Sequence, residues 1–197
     1  MVRLSIAARA GDIVNDAGAG GKRSGSSEER GAIKLPPLPP RRGRGRWDGV
    51  ALWLSVWFGC GYAPKAPGTV GALGALPVFA VAQLAGPFTV FAVGALVTVV
   101  GIWSSTRVAR QMRVEDPQII VIDEVAGVLL TLAVAPPGWL GLAAGFLLFR
   151  AFDIWKPWPV RLFERLPLGF GIMMDDVAAA AMAAAVLLVP QMLKVWP

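Results

Sequence analysis

The feature that most constrains this fold is a series of long apolar stretches that fills the chain after residue 46. Each stretch approaches or reaches the roughly 17–25 residues that a helix needs to cross a lipid bilayer. A water-soluble domain of this size rarely contains so much apolar sequence. The pattern predicts an all-α fold, a multi-helix integral membrane bundle of short apolar helices. The five stretches cover residues 69–85, 87–106, 118–135, 138–152 and 177–193.

The first 46 residues differ in composition from the rest of the chain. They carry ten Lys and Arg against four Asp and Glu, whereas residues 47–197 carry nine of each. They are rich in Gly, Ser and Pro and have few large apolar side chains to bury. We therefore expect a disordered basic tail over residues 1–46 and a helical membrane domain over 47–197. The tail lacks a signal-peptide core, and its basic groups favour anionic lipid over nucleic acid.

Charge alternates along the turns between the apolar stretches. The turns at 84–88 and 134–139 carry no charge, and the other turns carry Lys and Arg. If the chain crosses the membrane at each stretch, the basic turns share one side, which the positive-inside rule assigns to the cytoplasm. The Trp-rich segment 47–58 is too short to span and is typical of a helix at the membrane interface. A Gly/Pro-rich loop is expected at 59–71.

The absence of histidine and the presence of a single cysteine exclude several kinds of catalysis. The chain has no histidine, which excludes histidine phosphatases and histidine-based metal sites. It has one cysteine, Cys60, and the residue six places later is Ala66 rather than the Arg of a cysteine phosphatase. One cysteine also excludes a disulfide framework and a zinc cluster.

Five carboxylates lie where the apolar stretches meet the basic turns. They are Asp123 and Glu124 within the third stretch, Asp153 at the end of the fourth, and Asp175 and Asp176 opening the fifth. In the topology above they converge at the cytoplasmic side, where unpaired carboxylates would repel one another. Oxygen ligands without Cys or His favour Mg²⁺ or Mn²⁺. The structural alternatives are ion pairs with Arg150 or Lys156, and a helix N-cap at Asp175–Asp176.

Basic and hydroxyl side chains are placed to bind phosphate. Lys65 and Thr69 lie in the Gly/Pro-rich loop that leads into a helix, and free N–H groups at a helix start bind anions. Arg150 precedes Asp153 by one turn, so it can bind phosphate or pair with Asp153. Lys156 ends the same helix before Pro157. A plain turn with an interfacial Lys65 is the structural alternative.

Four motifs, in this order, resemble the phosphatidylglycerophosphatase A family. They are GCGYAPKAPGTVGAL, IIVIDEVAG, FRAFDIWKPWPVRLFER and GFGIMMDD, and the resemblance covers about residues 55–190. It implies an all-helical, Mg²⁺-dependent phosphatase of the bacterial inner membrane whose active site faces the cytoplasm. The implied substrate is phosphatidylglycerophosphate, which is converted to phosphatidylglycerol and phosphate. Departures from the family pattern occur at Leu168–Gly169 and Glu164.

The resemblance also implies roles for individual residues. Asp123, Glu124, Asp153, Asp175 and Asp176 match the acidic positions and are expected to bind metal, and all but Asp175 are also expected to be catalytic. Lys65, Thr69, Arg150 and Lys156 are expected to bind phosphate.

Two mechanisms and a second class of function stay open. The proton of an attacking water goes to Asp123 or Asp176, or else Asp153 or Asp123 forms an aspartyl-phosphate. A membrane transporter or cation-binding protein could use the same acids. Such a transporter usually has acids near the midplane and internal repeats, which are absent from this sequence. The sequence sets no oligomeric state.

Overall fold

The computed structural model describes residues 45–194, apart from the side chain of Arg46. Over that range the chain is helical and contains no strand, so the all-α prediction is confirmed. The tail predicted for residues 1–46 lies outside the described range except at its last two residues. The elements are α1 (Arg46–Ser55), a 3₁₀ helix (Trp57–Tyr62), α2 (Pro67–Gly74), α3 (Leu76–Gln83), α4 (Pro87–Met112), α5 (Ile122–Leu132), α6 (Trp139–Trp155), α7 (Val160–Phe163) and α8 (Gly169–Met192).

Helix α5 forms the centre of the bundle. Helices α2, α4, α6 and α8 all pack against it. Its side chains are buried on every face, and Val125, Val128 and Leu129 are completely inaccessible to solvent. A helix that is apolar all round is stable only when other elements surround it. The carboxylates in its first turn are therefore held inside the protein.

Two helices, α4 and α8, are long and apolar enough to cross a membrane. Their 26 and 24 residues correspond to about 39 and 36 Å at 1.5 Å per residue. Helix α4 exposes large apolar side chains along its length, including Phe88, Leu96 and Val99. A water-soluble protein rarely exposes an apolar surface of this extent, which is typical of contact with lipid or a partner.

The predicted stretches 69–85 and 118–135 are not single spanning helices. The first is divided into α2 and α3 because Pro77, near the start of α3, has no N–H group to continue the helical hydrogen bonds. The second contains only α5, whose 11 residues extend about 17 Å, against a hydrocarbon core of about 30 Å. The first residues of this second stretch form a turn instead of a helix. The Val121 N–H donates to Ser55 O, at the end of α1, at 2.9 Å.

Helix α8 begins earlier than the sequence predicts. Its first residue is Gly169, so Asp175 and Asp176 lie more than one turn inside the helix and do not cap it. Leu168, which follows Pro167, has a φ of 52° and therefore lies outside the helix. The Gly169 N–H donates to Thr106 Oγ1 of α4 at 3.2 Å. Thr106 thus supplies the cap that the N-cap interpretation assigned to the two aspartates.

The N-terminal helix and the loop that follows it agree only partly with prediction. The segment 47–58 contains α1, which is shorter than expected and packs on α4, where Arg107 Nη1 pairs with Asp48 Oδ1 at 3.2 Å. Trp47 and Trp53 are exposed on its outer face. The predicted loop at 59–71 is largely helical, because the 3₁₀ helix and α2 leave only residues 63–66 between them.

Candidate active site

Three carboxylates from two helices meet beside the first turn of the central helix α5. The first turn of α5 carries Asp123 and Glu124, and α8, packed against it, carries Asp176. One oxygen from each residue lies within 4.8 Å of the other two. We call Asp123, Glu124 and Asp176 the acid cluster. Residues more than 50 positions apart in sequence thus form one concentrated negative charge.

Each member of the acid cluster has an oxygen that is buried and has no hydrogen-bond partner within the described residues. These atoms are Asp123 Oδ1, Glu124 Oε2 and Asp176 Oδ2. A buried acceptor without a partner is costly, and a buried carboxylate more so. A divalent cation would satisfy all three oxygens and cancel their repulsion, and oxygen-only donors suit Mg²⁺. The donor set therefore fits the metal that the sequence predicts.

Asp153 lies beside the cluster and is paired with a base. Arg150, one turn earlier on α6, donates from Nη1 to the Asp153 carboxylate. The same Nη1 is 3.9 Å from Glu124 Oε1, and Nη2 donates to Thr69 Oγ1 at 3.3 Å. The Nε of Arg150 is buried and has no partner in the described part of the chain. Arg150 therefore links α2, α5 and α6 and keeps one donor free.

The start of α2 approaches the cluster more closely than most residues would allow. A Cβ atom on Gly68 would overlap Glu124 Oε1 and lie 3.5 Å from Arg150 Nη1. Glycine is therefore required for the backbone of this turn to approach Glu124 so closely. The sequence places Gly68 in a loop motif, but only the structure explains why a side chain is excluded there.

Asp175 is drawn away from the cluster by a lysine. Lys156 Nζ donates to Asp175 at 2.6 Å and to Glu164 at 2.8 Å. Burial alone would lower the pKa of Lys156, but these hydrogen bonds outweigh it and raise the pKa above the ordinary lysine value. The second oxygen of Asp175 accepts the Asp176 N–H at 3.0 Å. Asp175 is therefore a neighbour and support of the cluster in this structure.

The structure separates the predicted site residues into three groups. Three acids form the cluster, Asp153 and Asp175 are paired with Arg150 and Lys156, and Lys65 is exposed in the link before α2. None of the ion pairs within residues 45–194 includes Lys65. The predicted roles of all these residues, as metal ligands or as groups that bind phosphate, stay predictions.

Sequence reasoning missed two residues that shape this region. Thr106 caps the helix that carries Asp176, and Glu164 shares Lys156 with Asp175. Thr106 is 63 positions from its partner, and no local pattern marks it. The charge of Glu164, opposite that of nearby Lys156, was the available signal for the second contact.

Comparison with known proteins gives a consistent family assignment. The family model described as phosphatidylglycerophosphatase A matches residues 53–191. No solved structure matches.

Three curated relatives are similar over about the same region. A phosphatidylglycerophosphatase A of Escherichia coli K12 is 38% identical over 137 residues, 68% of this chain and 79% of the relative. The Haemophilus influenzae protein of the same name is 42% identical, over 68% and 83%. A Bacteroides thetaiotaomicron protein with the provisional name phosphatidylinositol-3-phosphatase is 39% identical, over 66% and 86%. None of these names supports the transporter alternative. The chain therefore belongs to the phosphatidylglycerophosphatase A family of phosphatases.

Proposed function

We propose that this protein hydrolyses the terminal phosphate monoester of phosphatidylglycerophosphate, releasing phosphatidylglycerol and phosphate. The observation that carries the proposal is the acid cluster, whose three buried oxygens have no donor in the described part of the chain. It coincides with the motifs by which the chain resembles its family. Two of the relatives are named for this substrate.

The acid cluster is the proposed Mg²⁺ site, with Asp123, Glu124 and Asp176 as the protein ligands. A divalent cation held there supplies positive charge for the phosphoryl group and makes water more acidic. Phosphoryl transfer needs this neutralisation and alignment more than it needs covalent chemistry from the protein. Within residues 45–194 only Glu124 of the three has a basic group within 4 Å, Arg150 Nη1 at 3.9 Å, which supports this assignment over purely structural ion pairing.

The start of α2 and Arg150 are the proposed phosphate donors. The N–H groups of Gly68 and Thr69 belong to the first turn of α2, where backbone donors have no partners within the helix. Arg150 Nε has no partner among residues 45–194, and Nη2 donates to Thr69 Oγ1. Together they orient the phosphate toward the acid cluster. Asp123 or Asp176 then accepts the proton of the attacking water.

One of the comparisons favours a different lipid headgroup as the substrate. The Bacteroides thetaiotaomicron relative is named for a phosphoinositide and is as similar as the other two. Both headgroups present a phosphate monoester on a hydroxyl-bearing linker, so the acid cluster suits either. Phosphatidylinositol-3-phosphate is therefore the competing substrate.

Phosphate release from purified protein in detergent tests both the headgroup and the metal. We expect turnover of phosphatidylglycerophosphate to exceed turnover of phosphatidylinositol-3-phosphate. EDTA should reduce it by at least about a hundredfold, and Mg²⁺ should restore it, because the carboxylates cannot act together without a cation. Full activity in metal-free buffer would exclude the proposed metal site. Faster turnover of the phosphoinositide would assign the second headgroup.

We further propose that the protein lies in the bacterial inner membrane with the acid cluster near the cytoplasmic face. The two long apolar helices and the exposed apolar surface of α4 support this location. In this orientation the basic turns after α4 and α6 lie on the cytoplasmic side with the acids, as the positive-inside rule requires, and Lys194 after α8 lies opposite.

Cysteine labelling tests this orientation in spheroplasts of cells expressing Cys60→Ser protein. We expect Pro137→Cys, in the exposed turn between α5 and α6, to react with a membrane-impermeant thiol reagent. Gln118→Cys, exposed near the start of α5, should react only after lysis. The opposite pattern would reverse the orientation, and equal labelling before lysis would contradict a spanning topology.

A further inference from the structure

A polar cavity of about 450 Å³ lies beside the acid cluster. Glu115 and Asp116, between α4 and α5, form one wall, and Lys156, Glu164 and Asp175 form another. We propose that this cavity binds the hydroxyl-bearing linker of the lipid headgroup and thereby selects the substrate. The proposal rests on the proposed function, in which that linker is the glycerol between two phosphates.

Neighbouring residues on α8 connect the cavity to the acid cluster. Asp175 lines the cavity, and the next residue, Asp176, belongs to the cluster. The Asp176 N–H donates to Asp175 Oδ1 at 3.0 Å, which fixes the two carboxylates relative to each other. The linker of the substrate is bonded directly to the reacting phosphate. With that phosphate at the acid cluster, the linker can extend into the adjoining polar cavity.

Two carboxylates of the cavity favour hydroxyl groups over phosphate, whereas Arg165 supplies a positive charge in the same lining. Lys156 is hydrogen-bonded to Asp175 and Glu164, so these three groups satisfy one another. Glu115 and Asp116 form no ion pair within residues 45–194. Their oxygens repel a phosphate but accept hydrogen bonds from hydroxyl groups.

The residues that line the cavity support a second cation site less well than they support a site for hydroxyl groups. Among the described residues, only the acid cluster brings oxygens of three acidic side chains within 4.8 Å of one another. Desolvation by the surrounding walls raises the pKa of Asp116 although its side chain stays partly open to solvent, and nearby Lys156 opposes the rise. A carboxyl group in this setting gains from a hydroxyl donor.

The mouth of the cavity is suited to a lipid. Leu166 and Pro167 form part of its rim together with Arg165, and all three are exposed. Phe170, nearby on α8, is also exposed. Apolar groups next to a basic one match the boundary between acyl chains and an anionic headgroup. A lipid lying there would have its diester phosphate beside Arg165 and its hydroxyl-bearing linker beside Glu115 and Asp116.

The test compares phosphatidylglycerophosphate with a probe lipid that has a propanediol linker and therefore lacks the secondary hydroxyl. We expect the wild type to prefer the hydroxyl-bearing lipid by about tenfold or more in kcat/KM, because the cavity acceptors lose a donor with the probe. Glu115→Gln and Asp116→Asn should each reduce that preference to a few-fold, mainly through KM. Asp48→Asn removes the same charge from α1, away from the cavity, and should preserve the preference. Melting temperatures establish that each variant is folded.

Three results would overturn the proposal. The first is a wild type with no preference between the two lipids. The second is an equal loss of activity on both lipids in the cavity variants. The third is an Asp48→Asn protein whose preference falls as much as that of the cavity variants. If neither lipid is turned over, the proposed function fails. The hydroxyl preference is then measured from the melting-temperature shift that each lipid produces in wild type and in Asp116→Asn. Equal melting-temperature shifts with the two lipids would overturn the proposed hydroxyl preference.

Discussion

Replacing Asp123 by Asn should reduce phosphatase activity by at least about a hundredfold while leaving the protein folded. Asn keeps the shape of the side chain but removes the negative charge from the acid cluster. Replacing a group that only supports a metal ligand already costs about 10–100-fold in metal affinity or activity. Replacing a direct ligand should therefore cost at least about a hundredfold. Asp176→Asn should have a comparable effect, because its oxygen lies in the same cluster.

Thermal stability distinguishes this metal-binding role from a structural one. Without a cation the three carboxylates repel one another, so the melting temperature of Asp123→Asn should be equal to or higher than that of the wild type. Mg²⁺ should raise the melting temperature of the wild type more than that of the mutant, since a ligand stabilises the state that binds it. Asp48→Asn is the matched control, because Asp48 pairs with Arg107 outside the cluster and its loss should preserve activity.

Two outcomes would contradict the assignment of Asp123. If Asp123 were half of a structural ion pair, the mutant would be less stable with or without Mg²⁺, and its activity would fall only with the folded fraction. An active mutant that responds normally to Mg²⁺ would remove this residue from the site. Measuring turnover and melting temperature with and without Mg²⁺ separates these cases.

Gly68→Ala should reduce activity by about ten- to a hundredfold with little change in stability. The new methyl group would overlap Glu124 Oε1, the end of a flexible side chain that can turn away. Turning away removes the Glu124 carboxylate from the acid cluster, and misplacing a reacting group by about 1 Å can cost a hundredfold in rate. The fold itself should tolerate the change, since alanine is favoured over glycine in a helix by about 1 kcal/mol.

A control and a double mutant make this prediction specific. Gly49→Ala introduces the same methyl group on α1, where none of the described residues offers an atom within 4 Å, and should leave activity unchanged. In a Glu124→Gln background, Gly68→Ala should add little further loss, because residues acting through one carboxylate are not additive. Full additivity, or a large drop in melting temperature for Gly68→Ala alone, would show that the glycine acts through the fold rather than through Glu124.

Much of the fold and of the site composition could be predicted from sequence because it depends on local patterns. Apolar runs predict helices, and the described residues are all helical or connecting. The order of the four motifs identifies the family, and the lack of histidine restricts the chemistry to carboxylates. Helix ends were predicted less well. Pro77 divides one stretch, and Thr106 extends α8 backward to Gly169 through a hydrogen bond from another helix.

What the sequence determined by itself is the inventory of the site: the acids at one end of the bundle, the bases near them and the glycine-containing turn. Only the tertiary structure decided their partners. Asp123, Glu124 and Asp176 are brought together with unpaired oxygens, whereas Asp153 and Asp175 are bound by Arg150 and Lys156. The physical reason is distance along the chain. Arg150 and Thr69 are 81 positions apart, and the packing around α5 determines which charges share a buried space and which are neutralised.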